Sequence, residues 1–148
     1  LNRLMQRSIK GKVTGVDYST VSVQKSAKVN AAAIKEGRCQ VLSANVAQLP
    51  FADDTFTMAT AFETIYFWPD IEKSFAEVRR VLAPGGKFLV VNEDDGLSGS
   101  NDKWEKIIEG MHTYTPDEVK AHLAAAGFQN ITVQRDESKH WLAVTAVK

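Results

Sequence analysis

The chain has a single cysteine, Cys39, in 148 residues. One thiol excludes an internal disulfide, and a reducing, cytosolic setting is the simplest fit. Three histidines, His112, His122 and His140, are scattered and have no cysteine beside them, so no metal site is expected. No apolar run approaches the ~20 residues of a membrane span, and no secretory signal is legible. Lys plus Arg and Asp plus Glu each total 18, for a net charge of zero. The clustered Lys/Arg excess of a nucleic-acid surface is absent. There is no internal repeat and no low-complexity tract. What remains is 44% hydrophobic and 24% charged, values of a globular chain with a core. The length fits one domain.

The chain is organised around Leu49–Glu93. Phe56–Phe62 and Lys87–Val91 have the length and composition of buried strands. Between them Asp70 caps a helix whose Ile71, Phe75, Val78 and Leu82 share one face. Pro84 and the Gly85-Gly86 pair stop it. This is a strand–helix–strand crossover, which a parallel pair requires. In an open α/β sheet, ligands sit beyond the carboxyl ends of the strands. Glu63–Trp68 and Asn92–Asp95 follow those ends.

Around this stretch the elements alternate. Leu1–Lys10 reads as a helix ended by Gly11. Lys12–Asp17 reads as a strand, and Ser19 opens a helix to about Glu36 with Val23, Ala27 and Ile34 inward. Cys39–Ser43 is a strand, Asp94–Asp102 a polar loop and Lys103–Met111 a short helix. Thr115-Pro116-Asp117-Glu118 is a capping box with proline at the first helical position, and Gly127 ends that helix. Ile131–Gln134 and Trp141–Val147 close the chain as an antiparallel hairpin. Alternation of this kind argues for a doubly wound α/β sheet in three αβα layers.

Leu49-Pro50-Phe51, the acidic pair Asp53-Asp54, the aromatic Trp68-Pro69-Asp70 and the closing run Val81–Val91 (VLAPGGKFLVV) together resemble the class I S-adenosylmethionine-dependent methyltransferases, small-molecule branch. The resemblance runs from about Lys12 to the C-terminus. It implies a Rossmann-like, mostly parallel sheet, S-adenosylmethionine as cofactor, and methyl transfer to a small molecule by in-line displacement. Positioning and water exclusion are then the protein's main task, so no catalytic triad is needed.

The resemblance also assigns roles. Asp17, in GVDYS, ends a strand where a carboxylate accepts ribose hydroxyls, with Tyr18 beside it. Asn45 and Val46 fall where adenine is held, although the family usually has Asp at the Asn45 position. Ala61 and Phe62 face the cofactor's amino-acid end. Glu63, Tyr66 and His112 are acceptor-side candidates, with Tyr114 and Trp104 near His112 at a substrate lid. Tyr66 or Trp68 would offer a π face to the sulfonium. At least two of Phe62, Phe67 and Trp68 are expected in the core. Glu93-Asp94-Asp95 reads as a solvated acidic loop, and Cys39 as a buried small apolar residue.

The family opens with a central strand and a glycine-rich cofactor turn, and no such turn occurs here. Missing that strand would leave two rows of backbone groups unpaired. The expectation is one methyltransferase-like domain, residues 1–148, incomplete at its N-terminus. Alternatives are a non-catalytic or truncated binding module and a nicotinamide-binding Rossmann domain. The expected partners are a small-molecule acceptor and a second copy in a homodimer, with no nucleic acid and no membrane. The expected location is cytoplasmic.

Overall fold

The computed structural model describes residues 1–8, 10–99 and 105–148, which cluster into two compact units, Leu1–Pro50 and Phe51–Lys148. Among these residues no helix is long and apolar enough to cross a membrane.

Leu1–Pro50 contains α1 (Asn2–Arg7), β1 (Val13–Asp17), α2 (Thr20–Val29), α3 (Ala31–Lys35) and β2 (Cys39–Ser43). β1 and β2 are parallel, from Val13 opposite Cys39 to Asp17 opposite Ser43. Ser19 caps α2 by accepting the Ser22 N–H at 3.3 Å. The single helix expected to reach Glu36 is instead two. It breaks at Asn30 (φ −106°, ψ 19°), whose buried amide turns back and donates to the Ser26 carbonyl at 2.8 Å. A short polar side chain competes for the helical carbonyl in this way. Ile34, expected inward, is 36% exposed beyond the break. Arg38 holds the end of α1 by donating to the carbonyls of Met5 and Ser8 at 3.2 and 2.8 Å.

Phe51–Lys148 contains β3 (Phe56–Phe62), a 3-10 turn (Ile65–Phe67), α4 (Ile71–Val81), β4 (Leu82–Asn92), α5 (Pro116–Ala125), β5 (Gln129–Asp136) and β6 (Trp141–Val147). The strand order is β3-β4-β6-β5, with β3 parallel to β4 and the other two pairings antiparallel. The crossover and the terminal hairpin therefore stand as read, in an α/β fold. β4 starts earlier than the expected Lys87. Lys148 brackets the glycine pair: the Gly85 N–H donates to its carbonyl at 3.2 Å, and its own N–H donates to the Gly86 carbonyl at 2.9 Å. That draws Leu82–Gly86 into the sheet, with a register shift opposite Phe56 and Met58. The helix expected over Lys103–Met111 lies partly outside the described residues; residues 105–107 are helical.

The core of this unit forms between α4, α5 and the sheet. Asp70 caps α4 from a left-handed backbone (φ 42°), accepting the Lys73 N–H at 3.2 Å. Ile71, Phe75 and Val78 are buried as the pattern predicts. Phe88, 1% exposed, is the hub: its ring stacks on Trp68 at 6.2 Å and meets Phe75 and Phe128 at 5.7 Å each. The Thr115–Glu118 capping box is complete, and Val119 and Leu123 are fully buried on α5. β3 forms one edge of its sheet, and both strands of the two-stranded sheet are edges. A two-strand sheet is marginal on its own.

Phe88→Ala removes the ring that three aromatic neighbours share. It should cost about 3–5 kcal/mol in urea unfolding. A loss under about 1 kcal/mol would mean that this cluster does not form the core.

Candidate functional site

In Leu1–Pro50 the cofactor-side candidates meet at the carboxyl edge of β1 and β2. Asp17 is the last residue of β1, and its carbonyl accepts the Ala44 N–H at 3.1 Å, bringing the chain after β2 alongside. One carboxylate oxygen of Asp17 accepts the Ser19 N–H at 2.8 Å; the other has no partner among the described residues. Asp17 thus fixes the turn ahead of α2 with one oxygen and keeps the other as an open acceptor. Tyr18 is 75% exposed beside it. The side-chain oxygen of Asn45 accepts the Ala47 N–H at 2.9 Å, and its carbonyl accepts from Gln48 at 3.0 Å, so Asn45 shapes a turn in which Val46 also lies. The amide NH₂ of Asn45 faces no partner among the described residues. A hollow of about 240 Å³ lined by Val13, Thr14, Cys39 and Gln40 lies at the opposite, amino-terminal ends of the same strands. It is smaller than a typical ligand cleft.

In Phe51–Lys148 the acceptor-side candidates also gather at a carboxyl edge. β3 ends at Phe62, as its apolar run predicts. Glu63 adopts φ 55°, in the left-handed region, and the chain then turns through Ile65–Phe67. A glutamate rarely sits there, and such strain persists where surrounding contacts over-determine it. The contacts are visible. One Glu63 oxygen accepts the Glu93 N–H in a short hydrogen bond, and the other accepts the Tyr66 hydroxyl at 3.4 Å. That hydroxyl also accepts the Asp94 N–H at 3.3 Å. The ends of β3 and β4 are therefore clamped by side chains where strand pairing stops. Ala61 is buried within β3. The His112 N–H donates to the Tyr66 carbonyl at 2.9 Å, so Glu63, Tyr66 and His112 do come together.

The electrostatics follow from this crowding. Burial of the Glu63 carboxylate raises its pKa, opposed by the Glu93 N–H and reinforced by the charges of Glu93 and Asp94. Tyr66 is pushed well above the usual phenol range by burial and by Glu63. Tyr114 is raised by burial, then by Glu118 and Glu105. Glu118 is held low, first by the Thr115 N–H that closes the capping box.

Two expectations fail here. Phe62 and Phe67 are 47% and 41% exposed, so of the three aromatics only Trp68 enters the core. The 3-10 turn rotates the chain and buries Ile65 and Tyr66 in their place. Trp68 packs against Phe75 and Phe88. The acidic loop is not solvated throughout: Asp95 is fully buried. Arg135 donates to one of its oxygens at 2.7 and 3.1 Å, while the Leu97 N–H (3.0 Å) and the His140 ring (3.2 Å) reach the other. No spacing in the sequence announces that pairing, because Arg135 and His140 come from the distant hairpin. Gly96 passes close to α5's cap; a Cβ there would lie 3.0 Å from the Thr115 nitrogen. Trp104 lies outside the described residues.

The methyltransferase domain family matches residues 1–90, well over half of the chain. The chain belongs to this family. Among curated methyltransferases, it is 28% identical over 123 residues to the 27-O-demethylrifamycin SV methyltransferase of Amycolatopsis mediterranei, covering 79% of this chain and 45% of that protein. It is 42% identical over 53 residues to the sterol 4-C-methyltransferase of Caenorhabditis elegans, covering 36% of this chain and 16% of that protein. The chain thus spans less than half the length of these methyltransferases. Among solved structures, that of the (4+2)-cyclase SpnF superposes with a TM-score of 0.82 at 18% identity, covering 98% of this chain and 70% of SpnF. That likeness shows the Rossmann-like α/β scaffold.

Asp95 is depressed because its bonds to Arg135, Leu97 and His140 outweigh the burial that would raise it. A depressed carboxylate stabilises the fold above its unfolded value of ~3.9, and that contribution fades as pH falls through the folded value. Arg135→Met strands the buried charge and should cost about 3–5 kcal/mol at pH 7. The penalty should shrink as pH falls through the carboxylate range, where the stranded Asp95 takes up a proton. Urea unfolding from neutral to acid pH checks this; a penalty independent of pH would contradict it.

Proposed function

We propose that the chain binds S-adenosylmethionine and transfers its methyl group to a small-molecule acceptor. The observation that carries the reading is the open carboxylate oxygen of Asp17, at the carboxyl edge of two parallel strands in a chain of this family. Asp17 would accept the ribose hydroxyls while its other oxygen stays fixed by Ser19. Asn45 and Val46 would meet the base, with the Asn45 amide able to donate as well as accept. When bound, S-adenosylmethionine supplies a methyl group on a good leaving group. The residues after β3 and β4 then have to hold the acceptor in line and keep water out. Glu63 and Tyr66, each held by neighbours, suit a positioning role. A homodimer and a cytoplasmic location belong to the proposal as well, the latter resting on the lone buried thiol of Cys39.

A second reading is a non-catalytic module on the same scaffold, since one fold hosts many functions. The engagement of the Asn45 side-chain oxygen in its own turn favours it.

Calorimetric titration with S-adenosylhomocysteine separates the two. Hydrogen bonds to a charged group are worth about 1.5–3 kcal/mol. Asp17→Ala should therefore weaken binding at least about tenfold, with the melting temperature little changed. Equal affinity in the variant would remove Asp17 from the site, and no binding by the wild type would favour the non-catalytic module.

A further inference from the structure

Most polar groups at the carboxyl edge of β3 and β4 are engaged with one another. Both Glu63 oxygens accept hydrogen bonds, and the Tyr66 hydroxyl is held between Glu63 and Asp94. Two side chains differ. Asn92 ends β4 with no exposed surface, on the same face of the strand as the buried Phe88 and Val90. Neither its amide oxygen nor its amide nitrogen has a partner among the described residues. The Thr113 hydroxyl is buried and equally without one, although the Thr113 N–H donates to Glu105 at 2.6 Å. Buried polar groups in folded proteins are almost always bonded, and an unmet one costs the fold stability.

The two lie on segments that run against each other. Tyr66 joins them: its carbonyl accepts the His112 N–H at 2.9 Å, and its hydroxyl accepts the Asp94 N–H at 3.3 Å. Gly96, in the loop after β4, passes so close that a Cβ would lie 3.0 Å from the Thr115 nitrogen and 3.1 Å from the Tyr114 carbonyl carbon. The rim around them is apolar. Of the seven exposed large apolar side chains in Phe51–Lys148 among the described residues, five belong to these segments: Phe62, Phe67, Leu97, Ile107 and Ile108. Exposed apolar groups gathered at one place mark a surface that something covers. A flat macromolecular surface could cover that rim without meeting the orphan groups behind it. The charge is one-sided. Positions 62–68, 92–97 and 105–113 carry Glu63, Glu93, Asp94, Glu105 and Glu109 besides the paired Asp95, against Lys106 and His112. That field repels anions. A cation taken to the depth of Asn92 would need a bonded counter-charge, and both Glu63 oxygens are taken.

We propose that Asn92 and Thr113 are the polar contact for the methyl acceptor, and that this acceptor has a large apolar body and an uncharged hydrogen-bonding group, a hydroxyl or a carboxamide. The inference rests on the methyl-transfer reading and names its substrate class. The apolar body covers the rim, and the polar group meets the Asn92 amide and the Thr113 hydroxyl.

Fluorescence titrations of the full chain with naphthalene derivatives, with and without S-adenosylhomocysteine, test it. Naphthol and naphthamide should bind about fivefold tighter than naphthalene, the share of one neutral hydrogen bond, and tighter than naphthoate and naphthylmethylammonium. Asn92→Leu should erase that preference, with S-adenosylhomocysteine affinity unchanged. Thr113→Val removes the hydroxyl alone; it should weaken naphthol binding and leave the melting temperature level or raised, because no partner is lost. If Asn92→Leu does not fold, Thr113→Val decides by itself. A fall in the Thr113→Val melting temperature of more than about 4 °C overturns the proposal. So does a preference for naphthoate or the ammonium, or no binding of any of these ligands by folded protein. Unchanged naphthol affinity in Asn92→Leu, as when a buried water alone bonds Asn92, overturns it too. Naphthol binding by a chain that does not take S-adenosylhomocysteine fails the methyl-transfer reading, and with it the assignment of an acceptor, while the contacts at Asn92 stand.

Discussion

The carboxyl edge of β3 and β4 depends on how the two strands are held where their pairing ends. A parallel ladder stops abruptly, and the backbone groups beyond it must find other partners. Here one carboxylate does that work. Glu63 leaves β3 in a left-handed conformation and returns its side chain to the Glu93 N–H and the Tyr66 hydroxyl. The conformation costs of order 1–3 kcal/mol, offset by those bonds and by the burial of Ile65 and Tyr66 behind them. Phe75 and Phe88 form the floor, and the His112 segment is laid over the turn through the Tyr66 carbonyl.

Asp95 extends the same logic to the hairpin. A buried carboxylate is tolerable only with charge and hydrogen bonds around it, and Arg135, Leu97 and His140 provide both. The loop after β4 is therefore held from two sides, by Tyr66 toward β3 and by Arg135 toward β5. In Leu1–Pro50, by contrast, the buried set is Met5, Asn30 and Cys39 among the described residues. Its two strands rest on their own pairing and on short helices.

Local chemistry was legible in the sequence wherever one segment carried the whole signal. The Asp70 and Thr115 caps and the buried face of α4 follow from spacing within a dozen residues, and the crossover from β3 to β4 from one contiguous stretch. The break at Asn30 was less so, because helical periodicity runs through it and a single side-chain bond decides the matter. The start of β4 was hidden because Lys148, at the far end of the sequence, draws the glycine pair into the sheet. At the candidate site the grouping of Glu63, Tyr66 and His112 came from the family pattern. The strain at Glu63 and the burial of Asp95 are tertiary, and no motif encodes them. Phe62 and Phe67 mislead because apolar character alone does not fix which way a turn faces.

The most direct measurement is thermal unfolding of the full chain with and without S-adenosylhomocysteine. Ligand at ~100 times its dissociation constant adds about 2.7 kcal/mol, a rise of roughly 5–10 °C for a chain of this size. A rise of that order is the expected result and supports cofactor binding by this chain. A folded sample whose melting temperature does not move would contradict the account, leaving a methyltransferase scaffold without its cofactor.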